Sequence, residues 1–170
     1  MPLVHFSPGV TIAVDVAAWA VVHTASGYAA HRIPASSLQR DSWLTRPRAC
    51  ERGGRVYEWT GIKRWKDRLP EAGDLFAGGV SKRSLPSKSA DGLRRLAVET
   101  RRAEVGHCLA AVASPLFFLW NSPLVGVAMV VYGIGVNAPF IAIQRYNRLR
   151  IARALARSRN SRGTTGNNIP

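Results

Sequence analysis

The chain has 170 residues, the size of one folded core, which excludes a second globular domain. Its 24 Lys and Arg outnumber 10 Asp and Glu, giving a formal net charge of +14 at pH 7, a balance suited to nucleic acid or an anionic bilayer surface. Two cysteines, Cys50 and Cys108, are too few and too isolated for a disulfide framework or a Cys-x-x-Cys metal site.

The charge is unevenly spread. Residues 1–30 hold no Lys or Arg and one acid, Asp15, while residues 144–170 hold seven Arg and no acid. In between, residues 31–107 carry seventeen basic and nine acidic side chains. Residues 10–30 are apolar apart from Asp15 and long enough to cross a hydrocarbon core of about 30 Å, so they read as a first transmembrane helix. A cleaved signal peptide would need a basic leader and a small-residue cleavage site, which this stretch lacks. Asp15, Trp19 and His23 recur every four residues and share one helix face, where Asp15 requires a partner.

Residues 31–102 form the expected cytoplasmic or interfacial segment. Within it, residues 54–70 mix Tyr57, Trp59 and Trp65 with basic side chains, a composition that places aromatic bodies at headgroup depth and cations on lipid phosphate. Residues 72–92, rich in Gly, Ser and Pro, read as a loop. From Cys108 to Ile143 no charged residue occurs, and Trp120-Asn121-Ser122-Pro123 breaks the run into two arms of a helical hairpin. The second arm, 124–143, is a full span. The first is short unless the preceding stretch enters the bilayer, which sets it at 103–120 and brings Glu104 and His107 to the membrane border. The polar tail 158–170 reads as disordered.

Lys and Arg near span ends stay cytoplasmic, so the N-terminus is expected outside and the C-terminus inside. The expected fold is therefore mainly α. It is a small multi-pass membrane protein with an N-terminal transmembrane helix, a basic interfacial segment and a C-terminal transmembrane hairpin, in one embedded domain over residues 1–157. With spans on both sides of the basic segment, the charge points to anionic membrane lipid and away from nucleic acid.

The sequence contains no P-loop, no Gly-x-Gly-x-x-Gly, no Gly-x-Ser-x-Gly and no Ser-x-x-Lys. The common His-x-x-x-x-Asp arrangement of glycerolipid acyl transfer is missing too. Glu104-x-x-His107 could offer two metal ligands, but no second such pair accompanies it, and no metal site is expected. What remains is a polar set on the two arms: Glu99, Arg102, Glu104 and His107 on the first, Asn137, Gln144, Asn147 and Arg148 on the second. Antiparallel geometry would bring His107 and Gln144 to one depth, and amides in hydrocarbon need partners. In such a group His107 can act as general base, Glu104 or Glu99 can orient the imidazole, and amide or guanidinium donors can stabilise oxyanion charge. Ordinary helix ion pairs among Glu99, Arg102 and Glu104 are the structural alternative.

Several runs carry a resemblance: Arg32-Ile33-Pro34, Lys63-Arg64-Trp65-Lys66, Glu99-Thr100-Arg101-Arg102-Ala103-Glu104 with His107, Asn137-Ala138-Pro139, and Gln144-Arg145-Tyr146-Asn147-Arg148 followed by Arg150. Together, in order over residues 19–150, they resemble the glycosyl-4,4'-diaponeurosporenoate acyltransferases of staphyloxanthin-type carotenoid synthesis. The resemblance implies an integral membrane enzyme that esterifies the sugar of a glycosylated carotenoid, or a related glycolipid, with a fatty acyl chain. It adds Arg64, Trp65, Lys66 and Arg145 to Arg102, Asn137, Gln144, Asn147 and Arg148 as expected substrate-binding residues. No tightly bound cofactor is expected, and the co-substrate would be an acyl thioester on coenzyme A or acyl carrier protein. The competing reading is a non-enzymatic membrane adaptor or assembly factor that binds anionic lipid or a protein.

Overall fold

The computed structural model describes residues 2–66 and 89–165, with side chains as far as Arg159. The expected loop at 72–92 and the end of the 54–70 stretch lie outside the described residues up to position 88, and so do the last five residues of the tail. All regular structure among the described residues is helical: α1 Pro8–Arg32, α2 Arg55–Trp59, α3 Ile62–Trp65, α4 Ala90–Ala113 and α5 Pro123–Thr165, with short 3₁₀ turns between them. The mainly α expectation is met. Two helices, α1 and α5, are long and apolar enough to cross a membrane.

Local chemistry explains the helix ends. Pro8 occupies the first turn of α1, where its missing N–H costs nothing. At the other end His31 and Arg32 complement the helix dipole, and Ile33, preceding Pro34, turns to extended backbone. Ser89 opens α4 by accepting the Gly92 N–H on Oγ at 3.1 Å. The first hairpin arm differs from a continuous helix over 103–120: α4 stops at Ala113 and Ser114–Leu119 is 3₁₀. Pro115 cannot donate in an α ladder, and Ser114 Oγ bonds back to the Ala111 carbonyl at 2.7 Å. Pro123 starts α5 as the Trp120–Pro123 break requires. That helix runs 43 residues to Thr165, past Ile143 and into the stretch where composition predicts disorder. Arg- and Ala-rich sequence from 150 to 157 has high intrinsic helix propensity and carries the ladder onward.

The chain forms two compact units. Unit one comprises Met1–Ile33 and Ala103–Ile141, and unit two comprises Pro34–Arg102 and Ala142–Pro170. In unit one the polarity is inverted relative to a water-soluble core. Its buried positions include Asp15, Ser26, Glu104, Ser114, Asn121 and Asn137, whereas Ile12, Val16 and Val21 of α1 and Leu124, Val131 and Ile134 of α5 are more than half exposed. Asp15 Oδ1 accepts hydrogen bonds from Trp120 Nε1 and Asn121 Nδ2, both at 2.8 Å, which supplies the partners its position demands. Trp19 stacks on Phe117 with ring centroids 4.6 Å apart and donates Nε1–H to Met129 Sδ. His23 is exposed and stacks on Trp19.

Unit two buries apolar and ionic groups together. Ile62, Ile143 and Tyr146 form one cluster with Tyr57 and Trp65 against it, and Leu96, Ala97 and Ile151 form another with Leu93 and Leu155. The turn into α2 passes through left-handed backbone at Arg52, Gly53 and Gly54. Gly54, with φ at 102°, also sits against Tyr146 and Leu149, so both its conformation and its lack of a side chain matter.

Candidate active site

The first candidate site lies in unit one, where α4 presents Glu104 and His107 and α5 presents Asn137. One helical turn separates Glu104 from His107, so both project from neighbouring positions on α4. Glu104 is 0 % exposed and Asn137 1 %, while His107 is half-buried. His107 Nδ1 lies 3.0 Å from Asn137 Oδ1. The Asn137 amide nitrogen donates to the Gly133 carbonyl at 2.8 Å, which fixes which end of the amide faces the ring. An amide oxygen only accepts, so Nδ1 carries the proton and Nε2 is the basic nitrogen of the neutral ring. Phe140 stacks on the imidazole at 4.7 Å and 11°, restricting its rotation. This arrangement holds the imidazole in one tautomer and one orientation.

The second cluster lies wholly in unit two, around Glu51. Its carboxylate accepts from the Tyr57 hydroxyl at 2.5 Å, from the Arg48 backbone N–H at 2.5 Å and from Arg145 Nη1 at 3.0 Å. Burial pushes the Glu51 carboxyl up, but these hydrogen bonds and the Arg145 charge outweigh it and hold the group below the usual carboxylate range. Tyr57 goes the other way: burial and the adjacent carboxylate raise its pKa. Arg145 Nη2 also donates to the Leu44 carbonyl at 2.6 Å, and Arg148 donates to the Thr45 carbonyl with Asp41 nearby. Asp41 is held in turn by Arg101 Nε at 2.7 Å. Glu58 accepts from Lys63 at 3.1 Å and from the Tyr146 hydroxyl at 3.3 Å, and the Lys63 bond leads in lowering its pKa.

The sequence-predicted site residues are thus divided. His107 and Asn137 meet, with Glu104 one turn from the ring. Glu99 pairs with Arg102 at 3.2 Å in unit two, the ordinary i, i+3 helix arrangement. Gln144 is buried, Asn147 is half-buried, and Arg145 and Arg148 tie α5 to residues 41–51. Arg64 is exposed and Lys66 is partly so, while Trp65 packs on the Ile62 cluster and donates Nε1–H to the Thr60 carbonyl. Sequence reasoning missed Asp41, Thr45, Glu51 and Tyr57. Glu51 had a signal, as the only acid between Arg46 and Arg55. Among the described residues no three His, Cys, Asp or Glu side chains gather where they could hold a metal.

The family model of glycosyl-4,4'-diaponeurosporenoate acyltransferase matches residues 40–157. The chain belongs to this family. Curated relatives of that name from Staphylococcus aureus strains N315 and bovine RF122 / ET3-1 are each 25 % identical to it, over 138 and 139 residues, 81 % of this chain and 83 % of theirs. The relative from strain USA300 is similar to the same extent. No solved structure matches. The match covers the α4 and α5 positions of His107 and Asn137 as well as the Glu51 cluster, so both clusters lie in the acyltransferase part of the chain.

Proposed function

We propose that this acyltransferase is an integral, multi-pass membrane enzyme that esterifies a sugar hydroxyl of a glycosylated carotenoid or related glycolipid with a fatty acyl chain. The donor is an acyl thioester, on coenzyme A or acyl carrier protein. His107 Nε2 accepts the proton as the sugar oxygen attacks the thioester carbonyl. Collapse of the tetrahedral intermediate breaks the C–S bond, and the imidazolium proton passes to the departing thiolate. Asn137 positions the ring through Nδ1, and Glu104, one turn away, stabilises the imidazolium as it forms. Confining a lipophilic acceptor to the bilayer supplies much of the rate through proximity.

The observation that carries this reading is the Nδ1-anchored imidazole of His107 inside a unit that hides polar side chains and exposes apolar ones. Water would penalise such an outer surface, whereas hydrocarbon suits it. The charge bias puts the N-terminus outside and the Arg-rich C-terminal half of α5 in the cytoplasm. Arg64 and Lys66, with Asn147, attract and bind the donor's phosphates, while Arg145 and Arg148 brace the fold that carries them. Glu99 belongs with Arg102 rather than with the base.

Purified protein in nanodiscs, given a glucosylated carotenoid and labelled acyl-CoA or acyl carrier protein, tests the assignment. The His107→Gln variant is expected to lose about 10²- to 10⁴-fold in turnover while remaining folded. Wild-type rates from that variant would refute the base. In cells, deleting the gene is expected to cause an unesterified glycoside to accumulate, and complementation to remove it.

A further inference from the structure

Unit two exposes two tryptophans where a water-soluble surface would hide them. Trp43 and Trp59 are each 71 % exposed. Each has a guanidinium over its ring at 5.4 Å from the centroid, Arg48 on Trp43 and Arg52 on Trp59. Both arginines flank or lie in one short turn, Arg48 at its N-cap and Arg52 within Ala49–Gly54. Arg48 is further fixed by donating Nη2–H to the Trp43 carbonyl at 3.1 Å. The acids of residues 34–66 are occupied elsewhere: Asp41 by Arg101, Glu51 by Arg145, Glu58 by Lys63. Arg40, Arg46, Arg52, Arg55 and Arg64 are all exposed and lie outside those ion pairs, so this surface is strongly positive.

We propose that the Trp43–Arg48 and Trp59–Arg52 pairs form an interfacial anchor that seats unit two on anionic phospholipid headgroups. An indole with a flat apolar body and one N–H sits best at the headgroup boundary, and a guanidinium above it offers forked donors to a phosphate. A protein partner of comparable acidity is the rival occupant. Lipid is favoured because Pro34 lies two residues after the end of α1 and Ala142 lies within α5, the two helices long and apolar enough to span. If those helices span as proposed, the chain connection alone brings a bilayer surface near unit two. This inference extends the membrane part of the proposed function and is independent of the role of His107.

Tryptophan quenching tests it with full-length protein in nanodiscs. The emission that disappears in the Trp43→Phe/Trp59→Phe double variant is the signal of the two indoles. It is expected to be quenched by phosphatidylglycerol brominated high on its acyl chains and shielded from aqueous iodide. Replacing phosphatidylglycerol by phosphatidylcholine should weaken that quenching by about twofold or more, and Arg52→Gln alone, or with Arg48→Gln, should erase the difference. Iodide access equal to that of free tryptophan, with no bromolipid quenching, would overturn the anchor, and so would shielding that appears only when a protein partner is added. Fluorescence reads position without turnover, so an inactive His107→Gln protein that is still quenched would separate failure of the base from failure of the anchor.

Discussion

Asn137 does two jobs with one amide. Its nitrogen is committed to the Gly133 carbonyl, so its oxygen is presented to His107 Nδ1 with no freedom to flip. Replacing it by Ala removes the Nδ1 acceptor that selects the tautomer, while the Phe140 stacking on the ring remains. The expected outcome for Asn137→Ala is a fall in kcat of about 10- to 100-fold with little change in KM for the thioester, since in the proposed mechanism the residue orients the base and does not bind substrate. Steady-state kinetics in nanodiscs check the split. A loss confined to KM would instead make Asn137 a binding residue. The antiparallel geometry of two apolar arms suggested one polar group containing both residues, with His107 set at the depth of Gln144 and not paired with Asn137. It could not reveal which side of the ring would be held, because that depends on the Gly133 carbonyl one helical turn before Asn137.

The Glu51 carboxylate is a residue-scale case that sequence reading passed over, since its partner Arg145 stands 94 positions away and nothing in local periodicity links them. Its consequences follow from linkage. Because the folded-state pKa of Glu51 is lowered, the ionised form contributes stability above the ordinary carboxylate pKa, and that contribution disappears as pH falls through the folded value. Tyr57, with its pKa raised, has the opposite limb: its contribution is complete below about pH 10 and is lost as the phenol is forced to ionise. The melting temperature in detergent is therefore expected to fall on both sides of neutrality. Glu51→Gln should cost about 3 kcal/mol at pH 7, because it leaves the Arg145 charge half-satisfied in a buried place, and should flatten the acid limb. An unchanged acid limb in that variant would place the titration elsewhere.

At the scale of elements, close packing of α4, α5 and α1 inside unit one is set by small residues. A side chain at Gly133 would put Cβ 2.7 Å from both Ser114 Cβ and the Trp19 ring. Both neighbours are buried, and Trp19 is wedged between Phe117 and Tyr132, so neither can retreat. Gly126 meets an even shorter contact, 2.3 Å from Phe118, but that ring is on the outer surface and can rotate away. Gly133→Ala is thus expected to destabilise by about 1–3 kcal/mol and to reduce activity by disturbing the hydrogen bond that Asn137 Nδ2 donates to the Gly133 carbonyl, whereas Gly126→Ala should be close to neutral. Thermal unfolding of the two variants side by side is the measurement. Equal effects would mean that helix propensity, not packing, decides. Periodicity and proline placement made the helices and the Trp120–Pro123 break readable in advance. The 3₁₀ run at Ser114–Leu119 escaped, since it arises from a Ser-Pro pair inside a run whose hydropathy suits either helix type. The helical continuation of α5 beyond Ser158 escaped for a related reason: polar composition argues against a core but says nothing about a ladder already nucleated upstream.

For the whole molecule the proposed property to test is sidedness, for which charge placement argues and on which the native cysteines can report. Cys50 is exposed in unit two and Cys108 is half-buried in unit one, next to His107. If the Arg-rich residues after Gln144 and the basic segment from Arg32 both remain in the cytoplasm, Cys50 faces the cytoplasm as well, because it lies between them in the chain. A membrane-impermeant maleimide should then leave Cys50 unlabelled in intact cells stripped of their wall and label it in inverted vesicles. Cys108, at the border of an apolar surface, should react slowly from either side. The Cys108→Ser variant isolates the Cys50 signal, and the Cys50→Ser variant isolates the other. Labelling of Cys50 from outside would overturn the proposed orientation and, with it, the proposed delivery of an acyl thioester from the cytoplasm. The acyl donor would then have to be a lipid already within the membrane, and the basic surface would lose its role in attracting a soluble one.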